Sequence, residues 1–308
     1  MDNHVTAGIG AILDAFVEQR ILDSERTGPI PHIVHQTYPT KVLPEPLNGN
    51  SAILRARNPD WQFCLYDDAD IEQFIADEYG AEVLSLYSRI SPFYGAARAD
   101  LFRYLLVYRQ GGLYLDIKST ADRPLTEVFG SNDSFVVSQW DNAPGREHAI
   151  WGLHPDLAHV PGGEFQQWFI ASAPGHPFLR AVIERVLGNI ERYNAFRDGV
   201  GLEVVRITGP IAYTFAIEPL LDHFPHRRIS SEAELGLRYS IMAYHAHHVH
   251  FRGHYSKRMT PIVGTLSRPF EQVALTGYVT TRRQVGRLIK HAKRFYLKAR
   301  GRPIVRTQ

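Results

Sequence analysis

The chain has 308 residues, 44% of them hydrophobic and 21% charged, and a formal net charge of +2. This composition is ordinary for a soluble globular protein, and the length can bury a full core as one large α/β domain or two small domains. One cysteine, Cys64, excludes an internal disulfide, and its apolar surroundings from Trp61 to Tyr66 predict a core thiol rather than a nucleophile.

In chain order, Met1 to Arg20 has no basic region before its apolar residues, so it does not read as a secretory signal, and Ile12, Phe16, Val17 and Ile21 instead suggest a short amphipathic helix. Ile30 to Gln36 reads as a buried strand, and Thr37 to Asn50, rich in proline, as a loop. Ser51 to Arg57 predicts a short helix that ends before Asn58-Pro59. Trp61 to Tyr66 predicts a second strand, and two helices are expected over Asp70 to Tyr79 and Val83 to Ser88. From Tyr94 to Tyr108 the residues Ala97, Leu101, Leu105 and Tyr108 share a helix face. Gly111-Gly112 breaks that helix, and Leu113 to Ile117 reads as a buried strand carrying Asp116 at its end. Ser134 to Trp140 predicts a further strand, Phe165 to Ala171 leads into a helix over Pro177 to Tyr193, and residues 196–206 read as a loop ending in a strand. Thr208-Gly209-Pro210 opens a helix that stops near Pro219. Strands alternating with helices imply a mostly parallel sheet covered on both faces. No stretch is long and apolar enough to span a bilayer, which leads to the expectation of a cytoplasmic protein.

Charge divides the chain unevenly. Beyond residue 271 there are ten Lys or Arg and no Asp or Glu; removing those ten from the 34 basic residues leaves 24 against 32 acidic ones. Val285, Leu288, Ile289, Ala292 and Phe295 interleave with this charge. A basic amphipathic helix of this kind suits an anionic membrane surface, here the inner face of the plasma membrane, and equally a solvated helix packed on the domain. No groove-reading motif accompanies the charge, so a nucleic-acid partner is not expected. The division predicted is a catalytic domain over 1–270 and a basic amphipathic segment over 271–308.

The richest stretch is Ala97 to Thr120. It holds Arg98-Ala99-Asp100, Gly111-Gly112, Tyr114 and Asp116, a set able to deliver charge to one strand end, where open α/β sheets bind ligands. This stretch resembles the signature of glycosyltransferase family 32, roughly Arg-Ala-Asp, a helix, then Gly-Gly-x-Tyr-x-Asp-x-Asp. Ile30 to Gln36, Asn58-Pro59-Asp60-Trp61, Pro174 to Leu179 and Thr208-Gly209-Pro210 extend the resemblance in the family's order over about residues 30 to 215. Large clostridial glucosylating toxins carry a related version. The resemblance implies a GT-A-like, Rossmann-type fold and retaining transfer of a hexose from a UDP- or GDP-sugar donor to a polysaccharide or lipid-linked acceptor, of the bacterial capsular or exopolysaccharide type. The alternatives are a non-catalytic sugar-nucleotide or carbohydrate-binding homologue and a protein-modifying glucosyltransferase.

The resemblance also assigns roles. It places Asp100, Arg103, Arg98, Tyr114, Gly112, Gln167 and Thr208 around the donor, and His35 and Gln36 at the nucleotide base. Most have a plainer reading: Asp100 and Arg103 as a helical i,i+3 pair, Arg98 as a structural packing residue, His35 and Tyr114 as core residues, Gly111 and Gly112 as turn geometry, and Thr208 as a helix cap. Two positions depart from the pattern: Gln167 stands where relatives often carry an asparagine, and Lys118 stands where the family has its second aspartate. Relatives hold Mn2+ or Mg2+ there, oxygen-seeking ions suited to carboxylates and phosphates. On an extended strand, residues 116 and 118 share a face. Lys118 would then set an ammonium against the diphosphate and weaken or remove metal dependence. The competing expectation keeps a metal on Asp116 and a late histidine. His254, within the run His245, His247, His248, His250 and His254, is the candidate because Gly253 permits close approach.

Overall fold

A computed structural model describes residues 28–242, 255–266 and 268–299. The expected N-terminal helix and the histidine run from His245 to His254 lie outside them. The elements are β1 (Ile33–Thr37), α1 (Leu47–Arg57), β2 (Gln62–Tyr66), α2 (Asp68–Arg89), α3 (Gly95–Gln110), β3 (Gly112–Leu115), β4 (Thr120–Ala121), α4 (Leu125–Val128) and β5 (Phe135–Val137). There follow β6 (Phe169–Ser172), α5 (Pro177–Glu191), α6 (Ala195–Asp198), α7 (Val204–Ile207), α8 (Pro210–Ile217), β7 (Arg227–Arg228), α9 (Glu232–Leu235), β8 (Leu237–Arg238) and α10 (Pro269–Ala299).

The central sheet has six strands in the order β2-β1-β3-β6-β5-β7. The pairs β1–β2, β1–β3 and β5–β7 are parallel, while β6 runs antiparallel to both β3 and β5. Only β6 is reversed, so this is the expected α/β fold with a mostly parallel sheet. β3 lies inside the sheet and is buried throughout. Its side chains alternate in destination: Leu113 and Leu115 join Val34, Val136 and Phe169 on one face, and Tyr114 joins Leu101, Leu105, Phe178 and Val182 on the other. Covering both faces requires the near-continuous apolar run that the sequence shows there.

Local signals explain most boundaries. Asp67 caps α2 by accepting from the amides of Ala69 and Asp70, and the Asp70 carboxylate accepts from the Asp67 amide in return, a capping box. The two helices expected over residues 70–88 are one element broken at Gly80, whose φ of +75° only glycine adopts readily. Pro177 opens α5 at its first turn.

Three expectations need correction. Residues 196–206 hold α6 and α7 and no strand; Asn194 caps α6 through the amides of Phe196 and Arg197, which turns the chain helical. Cys64 is only partly buried, because β2 is the edge strand of the sheet. β3 ends at Leu115, and the Ser119 amide closes a turn on the Asp116 carbonyl at 2.8 Å. Residues 116 and 118 therefore meet through a turn and not through strand alternation.

The first part of α10 packs on the body. Leu275 and Val279 are buried with Ala195 and Val200, while Phe270, Val273, Val285 and Leu288 remain exposed. No described helix is long and apolar enough to cross a membrane.

Candidate functional site

The polar cluster forms where β3 ends and α3 passes behind it. α3 presents Asp100 and Arg103 one turn apart, both buried. The Arg103 guanidinium is fully engaged: Nε donates to the Ala99 carbonyl at 3.2 Å and Nη1 to the Gln167 carbonyl at 2.7 Å. Its Nη2 lies 3.5 Å from Asp100 Oδ1 and 3.4 Å from Asp116 Oδ1. The guanidinium carbon sits 4.5 Å above the centre of the Tyr114 ring. Burial opposes its charge, but Tyr114, Asp116 and Asp100 more than offset that and hold its pKa above the ordinary value.

Asp100 is set from the other side by Thr208, whose hydroxyl donates to Oδ2 at 2.9 Å. Burial lifts the Asp100 pKa to about 6, against the pull of Arg103 and the Thr208 hydrogen bond. The Tyr104 hydroxyl meets the Thr208 carbonyl at 2.9 Å and also touches Gln167 Oε1. Thr208 therefore orients Asp100; it does not cap α8, whose N-cap is Gly209.

Asp116 and Lys118 form the open edge of the cluster, with side chains 21% and 14% exposed and Nζ 3.7 Å from Oδ2. The Lys118 ammonium donates to the Tyr239 hydroxyl at 2.7 Å and lies 4.0 Å from the centre of that ring. The backbone explains the meeting. β4 pairs antiparallel with β8, Thr120 opposite Arg238, which carries Tyr239 over the 116–119 turn. The Ile241 amide donates to the Lys118 carbonyl at 2.9 Å, the Ser119 hydroxyl to the Tyr239 carbonyl at 2.7 Å, and Asn50 Nδ2 to the Ser119 carbonyl at 2.9 Å. Burial alone would lower the Lys118 pKa, but Tyr239 and Asp116 outweigh it and raise the value. Sequence reasoning missed Tyr239, because 121 residues separate it from Lys118 and no motif marks it.

The sequence-predicted residues divide into two groups. Asp100, Arg103, Tyr114, Asp116, Lys118, Gln167 and Thr208 come together. Gln36 lies in β1 one position beyond the pairing of His35 with Tyr114, and its side-chain nitrogen is buried without a partner among the described residues. Three residues assigned to the donor make other contacts in the structure. His35 is fully buried, with Nε2 on the Gly111 carbonyl at 3.0 Å and Nδ1 on the Tyr66 hydroxyl at 3.1 Å. Burial depresses its pKa to about 4, so it is a neutral, satisfied core residue. Arg98 faces α2: it donates to the Ile90 carbonyl at 3.1 Å, lies 3.7 Å from Glu72 and stacks over Tyr87. Gly112, at φ +96°, serves geometry, since a Cβ there would come within 2.6 Å of the Ile33 carbonyl oxygen. His254 lies outside the described residues, and no group of three His, Cys, Asp or Glu able to hold a metal occurs among those described.

Residues 44–136 match the family model for a glycosyltransferase sugar-binding region containing a DXD motif. Asp100, Arg103, Asp116 and Lys118 all fall inside this match. The chain is 27% identical over 188 residues to inositol phosphoceramide mannosyltransferase 3 of Schizosaccharomyces pombe, covering 61% of this chain and 45% of that protein. It is 30% identical over 202 residues to mannosyl phosphorylinositol ceramide synthase SUR1 of Saccharomyces cerevisiae, covering 65% and 45%. The chain spans about half the length of the curated relatives it matches. These relatives are fungal mannosyltransferases, in place of the bacterial capsular type that the resemblance implied. Among solved structures, the PaToxG glycosyltransferase aligns with a TM-score of 0.43 at 15% identity, over 72% of this chain and 81% of that one.

Proposed function

We propose that this chain is a glycosyltransferase that moves a mannosyl group from a nucleotide diphosphate sugar to a lipid-linked acceptor at a membrane surface. The observation that carries the reading is the charged cluster of Asp100, Arg103, Asp116 and Lys118 at the end of β3, inside the sugar-binding match. Mannose and a lipid acceptor are favoured by the names of the relatives. A peripheral, cytoplasmic-face placement is part of the proposal. It is supported by α10, whose exposed Phe270 and Leu288 stand about five turns apart on one face of a helix that carries basic residues elsewhere.

The chemistry follows from the charge distribution. The bond between the anomeric carbon and the phosphate oxygen breaks, and negative charge builds on the departing diphosphate. Preorganised positive charge lowers that barrier more than mobile water does. Asp100 is buried and Asp116 is flanked by two cations, so neither is presented as a free nucleophile. In the proposed retaining reaction, the acceptor hydroxyl attacks from the face the diphosphate leaves, and its proton passes to a phosphate oxygen.

The test is a donor panel of GDP-mannose, UDP-glucose and UDP-galactose, with vesicles containing an inositol-phosphate lipid as acceptor. Labelled mannose in the lipid fraction supports the proposal. Nucleotide binding without turnover of any donor overturns it in favour of a binding homologue, and label in protein points to a protein-modifying enzyme.

A further inference from the structure

The fit of a divalent ion to this site can be judged from the donor set. Hard cations of this kind collect several oxygen ligands. Asp116 is the carboxylate the motif retains, and both its oxygens already face cations, Oδ1 toward Arg103 at 3.4 Å and Oδ2 toward Lys118 at 3.7 Å. An ion bound to either oxygen would sit against a guanidinium or an ammonium, with like charges repelling at close range in a partly buried place. The described residues do not fit a metal.

We propose that the Lys118 ammonium takes the place of the divalent cation, binding the diphosphate of the donor and the leaving diphosphate directly, so that the site works without metal. The proposal rests on the reading that this site takes a nucleotide diphosphate sugar. Three observations support it. The first is charge balance: an aspartate with a bound divalent ion contributes one net positive charge, and so does a single lysine, so the field at the site is preserved by the exchange. The second is hydrogen-bonding capacity. An ammonium has three N–H donors; Lys118 gives one to Tyr239, and Asp116 lies beyond hydrogen-bond distance. The third is preorganisation. Tyr239 holds the ammonium by its hydroxyl and ring, and the turn beneath is tied to residues 239–241. Nε2 of Gln36 and Nε1 of Trp168 are also buried donors without partners among the described residues. Trp168 adjoins this point, because its carbonyl accepts the Asp116 amide at 2.9 Å. Lys118 donates a hydrogen bond and transfers no proton; the acceptor's proton stays on the phosphate. Tyr239 is a positioning residue.

Calorimetric titration of the full chain with GDP and with UDP, in EDTA and then in Mn2+, tests this. Binding in EDTA is expected to be unchanged by Mn2+. Lys118→Met should weaken it at least about tenfold and Lys118→Arg should retain most of it, with circular dichroism confirming that both variants fold. Lys118→Asp rebuilds the Asp-x-Asp pair and should bind poorly in EDTA and recover in Mn2+. Wild-type binding that requires Mn2+, undetectable binding in both conditions, or a Lys118→Met variant that binds like wild type overturns the inference. Tyr239→Phe should raise Kd with an unchanged melting temperature. Metal-free, Lys118-dependent binding without turnover of any sugar donor leaves this inference standing and overturns the transfer reading. Turnover that requires Mn2+ does the reverse.

Discussion

Two buried polar clusters flank the aromatic group formed by Trp140, His148, Trp151, Trp168 and Tyr239, and they are finished differently. In the one that ties down residues 141–164, every carboxylate oxygen has a partner at hydrogen-bond distance. Glu164 meets Trp140 Nε1 at 2.7 Å and His154 Nε2 at 2.6 Å; Glu232 meets His148 Nδ1 at 3.0 Å and Gln166 Nε2 at 2.8 Å. That network is closed, and it holds a loop in which Ile150 sits at φ +68°, a conformation rare for a β-branched residue. In the other cluster the two cations beside Asp116 stand off at 3.4 and 3.7 Å, and Lys118 keeps donors unused among the described residues. A closed network specifies shape; an open one at a strand end is left to be completed by a ligand.

The largest expected break is at the shared part of the open cluster. Arg103→Met leaves Asp100 and Asp116 without their common cation. Removing one partner of a buried ion pair costs about 3–5 kcal/mol, so urea melts should show a loss of that order together with loss of nucleotide binding. In the closed cluster, Glu232→Gln should cost about 1–3 kcal/mol, the penalty of disturbing a buried hydrogen-bonded group, while nucleotide affinity stays near wild type. The Glu232 variant should also change the pH response. Hydrogen bonding to Glu232 raises the His148 pKa, so this pair's contribution is fully present below the unfolded value of 6.5 and is lost as pH rises through the folded value. Glu232→Gln should flatten that slope. A loss of nucleotide affinity in Glu232→Gln as large as in Arg103→Met would erase the distinction between the clusters.

The same contrast explains what could be read in the sequence. The sheet, the helix carrying Asp100 and Arg103, and the glycine turn were legible because periodicity and glycine act locally. The cluster around Asp116 was legible only as motif residues. Their real partners are distant: Thr208 reaches Asp100 across 108 positions and Tyr239 reaches Lys118 across 121. The strand reading at Ile117 failed because an apolar residue next to a strand looks the same whether the chain continues or turns. His35 looked like a ligand-binding residue because nothing local reveals that the Gly111 carbonyl and the Tyr66 hydroxyl occupy both its nitrogens.

Asp100 sharpens the comparison through pH. Its pKa is raised by burial to about 6, so its contribution to stability is fully present below the unfolded value of 3.8 and is lost as pH rises through 6. Asp100→Asn has no such titration. The stability difference between variant and wild type should move in the variant's favour between pH 4 and pH 7, even though nucleotide binding weakens. A difference flat with pH would show that the Asp100 pKa is not raised by folding.

The smallest effects lie away from both clusters. His35 and His176 are held neutral by burial, each with its pKa lowered to about 4. For a histidine with a depressed folded pKa, the unfolded chain takes up the proton first. Stability is then fully present above 6.5 and falls as pH drops toward 4, by at most about 1.4 kcal/mol per pH unit for each residue. Asp100 pulls the opposite way over part of this range, so it offsets about one of the two histidines and makes the acid slope of the wild type less steep. The histidine contribution emerges when Asp100→Asn is the background: melting from pH 7 to pH 4 should be steeper there than in the wild type, and adding His35→Gln should reduce the slope again. Unchanged slopes across the three proteins would mean that folding displaces the pKa of neither Asp100 nor His35.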